Sequence, residues 1–181
     1  MSQVQSYYAR GQYSKAISLL NQLLQKPQQI EPVTIHSNLA EIYRHLGQYS
    51  REIAHWKAAI ESIPTQKDRL EKPQLIVLSK LKVDLARAYI HLGQASLAIP
   101  LLQESLDLAK QTQKPEIENA AQKALGNAYK IAGEYDRAII AYTNSLDKIQ
   151  NPETTTRILN GLVDVYQLRS QQYITEARGA D

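Results

Sequence analysis

Four histidines, His36, His45, His55 and His91, are the residues of this chain best suited to metal ligation or acid–base work. A helical metal or catalytic pair needs two of them three or four residues apart on one face, and the intervals 36 to 45 and 45 to 55 do not provide that. His45 and His91 share the context His-Leu-Gly-Gln, so the one approach open to them is across neighbouring units of a repeat. There are no cysteines, which removes disulfides, thiol nucleophiles and thiolate metal sites together and fits a reducing, cytoplasmic setting. No glycine-rich phosphate loop, nucleophile elbow or supported carboxylate pair is present either, so neither an enzyme nor a metal or other cofactor is expected. The 11 tyrosines could stack on nucleic-acid bases, but most occupy positions with a packing explanation.

Charge points the same way. The formal charge of +3 comes from 21 Lys+Arg interspersed with 18 Asp+Glu, too weak and too even for a nucleic-acid footprint. The chain starts with neither a basic nor an apolar segment of a secretory kind, and no apolar run suggests a membrane span. With 43% hydrophobic residues it has enough apolar material for a core.

The elements that would position any surface chemistry are set by an internal repeat, framed by four glycines. The copies read Tyr7-x3-Gly11-x-Tyr13-x2-Ala16, Leu39-Ala40-x2-Tyr43-x3-Gly47-x-Tyr49, Leu85-Ala86-x2-Tyr89-x3-Gly93 and Leu125-Gly126-x2-Tyr129-x3-Gly133-x-Tyr135-x2-Ala138. A degraded fifth follows as Leu162-Val163-x2-Tyr166-x3-Ser170. Leu, a small residue and Tyr at i, i+1 and i+4 make an apolar stripe on one helix, and Gly ends that helix by accepting a left-handed backbone. Ala16, Ala98 and Ala138, five after each Gly, let a second helix approach closely. Leu20, Trp56, Leu102 and Tyr142, nine after it, fill the space behind. Each unit is thus a helical hairpin. One hairpin cannot bury both faces, so an all-α solenoid of stacked hairpins is expected.

This pattern, with Pro64 after Trp56-x2-Ala59, resembles the tetratricopeptide repeat (TPR) family across nearly the whole chain. The anchors are spaced 36 (11 to 47), 46 (47 to 93), 40 (93 to 133) and 37 (133 to 170), against about 34 in the standard repeat, so helices or connections are lengthened. The largest excess falls between Pro64 and Pro73, a polar stretch that reads as a long connection or a helix lengthened at its start. Helices are expected at about 2–10, 13–25, 32–46, 49–62, 73–92, 96–112, 116–132, 135–149 and 153–169, with a partial tenth near 172–178. They form a single domain of units 1–28, 32–64, 73–113, 116–151 and 153–178, about four full repeats and a partial terminal one. The last helix would be either a polar cap or the edge of a longer array. Glu52 stands where the pattern wants Ala, so its carboxylate should reach solvent or the helix contact should be rearranged. Pro100 should delay or bend its helix.

The resemblance implies a concave groove lined by the first helix of each hairpin and holding a peptide or protein segment. Positions two, three, six, nine, ten and thirteen before each anchor would face it. These supply Asn38, Glu41, Arg44 and His45 with Ser37 and Thr34, then Lys80, Asp84, Arg87 and His91 with Val83 and Ile90. The fourth unit adds Lys123, Asn127 and Lys130 with Ala120, Ala124 and Ile131. The fifth adds Arg157, Asn160, Gly161, Asp164, Gln167 and Leu168. Six cations against three anions give a basic groove, suited to a partner with acidic character, while the asparagines can bond a peptide backbone. One subtype of the family clamps chaperone C-terminal carboxylates. Lys123 and Asn127 match its first pair, but Gly161 replaces the next Asn, and in the earlier frame of Asn38 and Lys80 an Asp84 replaces the Arg, so that activity is not expected. An interaction scaffold is the reading adopted. The alternatives are a sensing module of a larger effector protein and, less in keeping with the charge, repeat-based RNA binding; self-association through uncovered array ends is also open.

Overall fold

The computed structural model describes residues 2–26, 30–63, 70–146 and 151–179. Among them nine helices run in order: α1 (Ser2–Ala9), α2 (Tyr13–Leu24), α3 (Pro32–His45), α4 (Tyr49–Glu61), α5 (Lys72–His91), α6 (Ala95–Thr112), α7 (Pro115–Ile131), α8 (Tyr135–Leu146) and α9 (Pro152–Arg178). Successive helices pack on one another, and α5 also touches α7 while α7 touches α9. The first helices of neighbouring hairpins therefore lie side by side in an all-α solenoid.

The anchors work as the repeat demands. Gly11, Gly47, Gly93 and Gly133 have φ of +67°, +67°, +70° and +76°, a conformation that costs any other L-residue strain. The residue after each Gly donates its backbone N–H to the carbonyl of the repeat tyrosine, Tyr7, Tyr43, Tyr89 or Tyr129, always at 2.9 Å. This is the Schellman closure, and it fixes the angle at which the second helix returns. At the other end, Pro32, Pro115 and Pro152 open their helices, where a missing N–H costs nothing.

Behind the turns, Ala16, Ala98 and Ala138 are fully buried, as are Leu20 and Leu102, with Trp56 and Tyr142 nearly so. Two apolar clusters result, divided at α3. Ile35, Leu39 and Ile42 pack toward the first hairpin, while Val33 and Ala40 join the core that continues to α9. The lengthening of the third unit lies in its helices, of 20 and 18 residues. Ser79 and Ser105 tie these two helices together, each hydroxyl donating to the other's carbonyl, at 2.8 and 2.7 Å. Residues 64–69, within the connection expected between Pro64 and Pro73, lie outside the described residues.

One expectation is corrected, and two that left alternatives open each lose one of them. The helix expected to end near residue 169, before a partial tenth, is one 27-residue helix, α9, because Ser170 offers no relief for a left-handed turn and the helical bonds simply continue. Pro100 does not delay α6, which starts at Ala95; Pro100 and Ser96 are both exposed, so the carbonyl that loses its partner meets water. The Glu52 carboxyl does not reach solvent: the residue is 1% exposed, and its Oε1 accepts the Trp56 indole N–H at 3.2 Å. No helix of the described residues is long and apolar enough to cross a membrane.

Candidate peptide-binding groove

The side-by-side first helices bring part of the expected groove together. A cavity of about 270 Å³ between α3 and α5 is lined by Ser37, Asn38, Glu41, Trp56, Val77, Lys80, Leu81 and Asp84. Its floor is apolar and its rim carries charges and an amide. Asn38 and Glu41 also border a second cavity of about 280 Å³ with Val4, Gln5 and Tyr8, which extends the concave surface back to α1. The same count back from Gly11 gives Tyr8 and Gln5, three and six before it, so this extension of the face has a signal in the sequence.

Electrostatics divide this surface in two. On α3 and α5, Arg44 pairs with Glu41 and Arg87 with Asp84, the latter at 3.1 Å. Burial pushes both carboxyls above the ordinary carboxylate range, and the arginines only partly oppose it. Further along, the Lys123 ammonium is pushed below the ordinary lysine range, first by burial and then by Arg87 and Arg157. Three successive first helices thus bring cations to one place. Arg157 is held by Glu153 at 2.6 Å and Lys130 by Asp164 at 3.0 Å. Lys80 and Lys123 carry no ion pair among the described residues, so the basic character of the groove is concentrated on these two lysines rather than spread over six cations.

The asparagines and histidines behave differently from the expectation. Asn38 spends its amide donor on the Thr34 carbonyl, 2.7 Å away on its own helix. Asn127 accepts the Tyr142 hydroxyl at 2.5 Å, and that phenol, pushed up to about 12 by burial and by Asp164, stays protonated. Asn160 remains exposed on α9. Val83, Ala124 and Gly161 are buried and line no groove. His45 and His91 do not pair; each stacks on the tyrosine two after the preceding anchor, His45 on Tyr13 at 6.3 Å and His91 on Tyr49 at 5.3 Å between ring centres. They are inter-unit packing groups at the helix ends.

Two arrangements escaped the sequence reading. His36 and His55, 19 residues apart, meet Nδ1 to Nδ1 at 3.1 Å between α3 and α4, with Tyr43 stacked on His55 and Arg51 over Tyr43. Burial lowers the affinity of both imidazoles for a proton, and His36 lowers that of His55 further. In addition, a cation four after the anchor lies over the repeat tyrosine in three units: Lys15 on Tyr7, Arg51 on Tyr43 and Arg137 on Tyr129. That signal is readable as Gly-x3-Lys/Arg. The third unit has Leu97 there, and Lys57 of the preceding unit covers Tyr89 instead. Among the described residues no three His, Cys, Asp or Glu side chains converge on a metal-sized space.

The model of a family described as tetratricopeptide repeat matches residues 1–67 and 83–151. Among solved structures, BtubC (BKLC) from P. vanneervenii superposes with a TM-score of 0.77 at 19% identity, covering 96% of this chain and 73% of that one. The apo form of RapI gives 0.81 at 16% identity, with 96% of this chain and 63% of RapI covered. A set of nearly identical TPR-like repeats from Podosopora anserina gives 0.71 at 21%, covering 97% and 87%. At these identities the likeness is one of fold. No curated protein matches the sequence.

Proposed function

The chain belongs to the tetratricopeptide repeat family, and we propose that it is a protein-interaction scaffold whose first helices hold an extended segment with acidic residues. The observation that carries this reading is Lys123. It has no ion pair among the described residues, and it stands where Arg87 and Arg157 disfavour its charge. An incoming carboxylate relieves that repulsion, and each charge-assisted bond it makes contributes about 1.5–3 kcal/mol. The cavity over Trp56, Val77 and Leu81 gives an apolar side chain of the same segment a place to anchor. Asn38 and Lys80 at its rim orient the segment through the asparagine oxygen and the ammonium.

The test is affinity capture from the source cell on the unaltered chain and on R87E/K123E, followed by affinity measurement on the captured partner. Lys123→Glu gains Arg87 or Arg157 as a partner and leaves folding intact, so K123E alone serves as the control for the double variant. Loss of binding in both supports an acidic segment at this place; binding unchanged in both refutes it.

A further inference from the structure

Helix α9 carries an apolar stripe that nothing in the described chain covers. Leu159, Val163, Tyr166, Tyr173 and Ile174 are exposed and recur at helical spacing, with Ser170 among them and Ala177 one turn beyond Tyr173. Tyr166 stands in the register of Tyr43, Tyr89 and Tyr129, which are 8%, 9% and 5% exposed beneath their own second helices, yet it is 53% exposed. The buried side of α9, Ile158, Gly161 and Val165, is a different face. Half of the exposed large hydrophobics of the described residues lie on this one helix, so the last helix is no polar cap.

We infer that α9 pairs with α9 of a second copy of this chain, antiparallel about a two-fold axis between Tyr166 and Ser170. Three observations select this occupant. The opposite end of the array, residues 2–26, has its large hydrophobic side chains at least partly buried, Ile17, Leu19 and Leu23 among them, so a head-to-tail contact meets no matching exposed stripe. Antiparallel pairing about that point sets Tyr166 against Ser170, Tyr173 against Val163 and Leu159 against Ala177, bulky against smaller at three levels, with Ile174 against the aliphatic Leu162, whereas parallel pairing sets tyrosine against tyrosine. The stripe is also bordered by uncharged Thr156, Asn160, Gln167 and Gln171, and Arg169 turns back to Asp136 at 2.7 Å, so two copies bring no like charges together. The stripe lies away from Arg157 and Lys123, and the inference is independent of the groove.

Sedimentation of the full chain at micromolar concentrations reads it out. The chain is expected at twice its 20.4 kDa mass, and Val163→Glu and Ile174→Glu, each at a solvent-facing position, are expected to give monomers with unchanged circular dichroism. Because the chain lacks cysteine, nitroxides placed through Ser170→Cys and, separately, Arg178→Cys fix the orientation. Antiparallel pairing keeps the first pair close and sets the second about 30 Å apart along the axis. A monomer at every concentration, a dimer unaffected by both glutamates, growth beyond the dimer, or equally short distances at both labels overturns the inference.

Discussion

The ring of Tyr142 occupies the space that a side chain on Gly161 would need: a Cβ there would stand 2.8 Å from Tyr142 Cζ and 3.0 Å from its hydroxyl oxygen. On the other side, a Cβ on Gly126 would come within 2.5 Å of the same ring. One buried phenol is thus clasped between the backbones of α7 and α9, with its hydroxyl on Asn127. The glycine that breaks the chaperone-clamp pattern is a packing residue.

Gly161→Ala should therefore destabilise the chain, although alanine is the better helix former by about 1 kcal/mol. The ring has no room to retreat, and overpacking of this kind costs about 1–3 kcal/mol. Gly126→Ala should be worse. Thermal unfolding of both, beside Tyr142→Leu combined with Gly161→Ala, checks the cause, since removing the ring should abolish the penalty at 161.

The His36–His55 contact predicts acid sensitivity. Both imidazoles are held below their ordinary range, so the folded state favours the neutral rings. Their contribution is fully present above the unfolded value of about 6.5 and is lost as pH falls from there toward the lower folded values. Protonating both rings would also set two cations 3.1 Å apart beside Arg51. Melting curves from about pH 7.5 to about pH 5 should fall more steeply for the unaltered chain than for His55→Gln. Parallel curves would contradict the assignment. The raised carboxyls of Glu41, Glu52 and Asp84 act in the opposite sense, which is why the comparison with the variant is the readout.

Glu52 makes a separate prediction. Burial, only partly offset by Trp56, raises its carboxyl above the usual range, and Oε2 has no partner among the described residues. Glu52→Gln keeps the indole bond and removes the ionisable group, so it should stabilise the chain at neutral pH, with the gain shrinking as pH falls through the raised carboxyl value. Glu52→Ala restores the small residue of the repeat but strands the indole N–H at a cost of about 1–3 kcal/mol, and should fall below Glu52→Gln. Trp56 is the single tryptophan, so its fluorescence follows both changes.

Much of this fold was legible because one physical rule repeats. A glycine that must be left-handed and a tyrosine four before it set each of the first four hairpins, with an alanine five after it in three of them, and all four glycine anchors stand as read. Where the anchor is degraded, at Ser170, the reading put a break that α9 does not make. The groove was legible as a helix face but not as a charge pattern. Which cations remain unpaired depends on Glu153 and Asp164 reaching Arg157 and Lys130, and rotamers decide that. Asn38 and Asn127 looked available by position, but one bonds its own helix and the other holds Tyr142. His36 and His55 were passed over because spacing along one helix cannot reveal a contact between two.

At the groove, Lys123→Glu should weaken capture of an acidic segment by roughly tenfold or more, the equivalent of one charge-assisted bond. Lys110→Glu, on the exposed side of α6, should leave it unchanged. Equal affinity for all three chains would remove the acidic element of the proposal.

The most direct test of the scaffold reading is hydrogen–deuterium exchange on the chain with and without its captured partner. Slowed exchange concentrated in α3, α5 and α7, extending to α1 near Tyr8, is the predicted result. Protection confined to the second helices α4, α6 and α8, with α3, α5 and α7 unchanged, would contradict it.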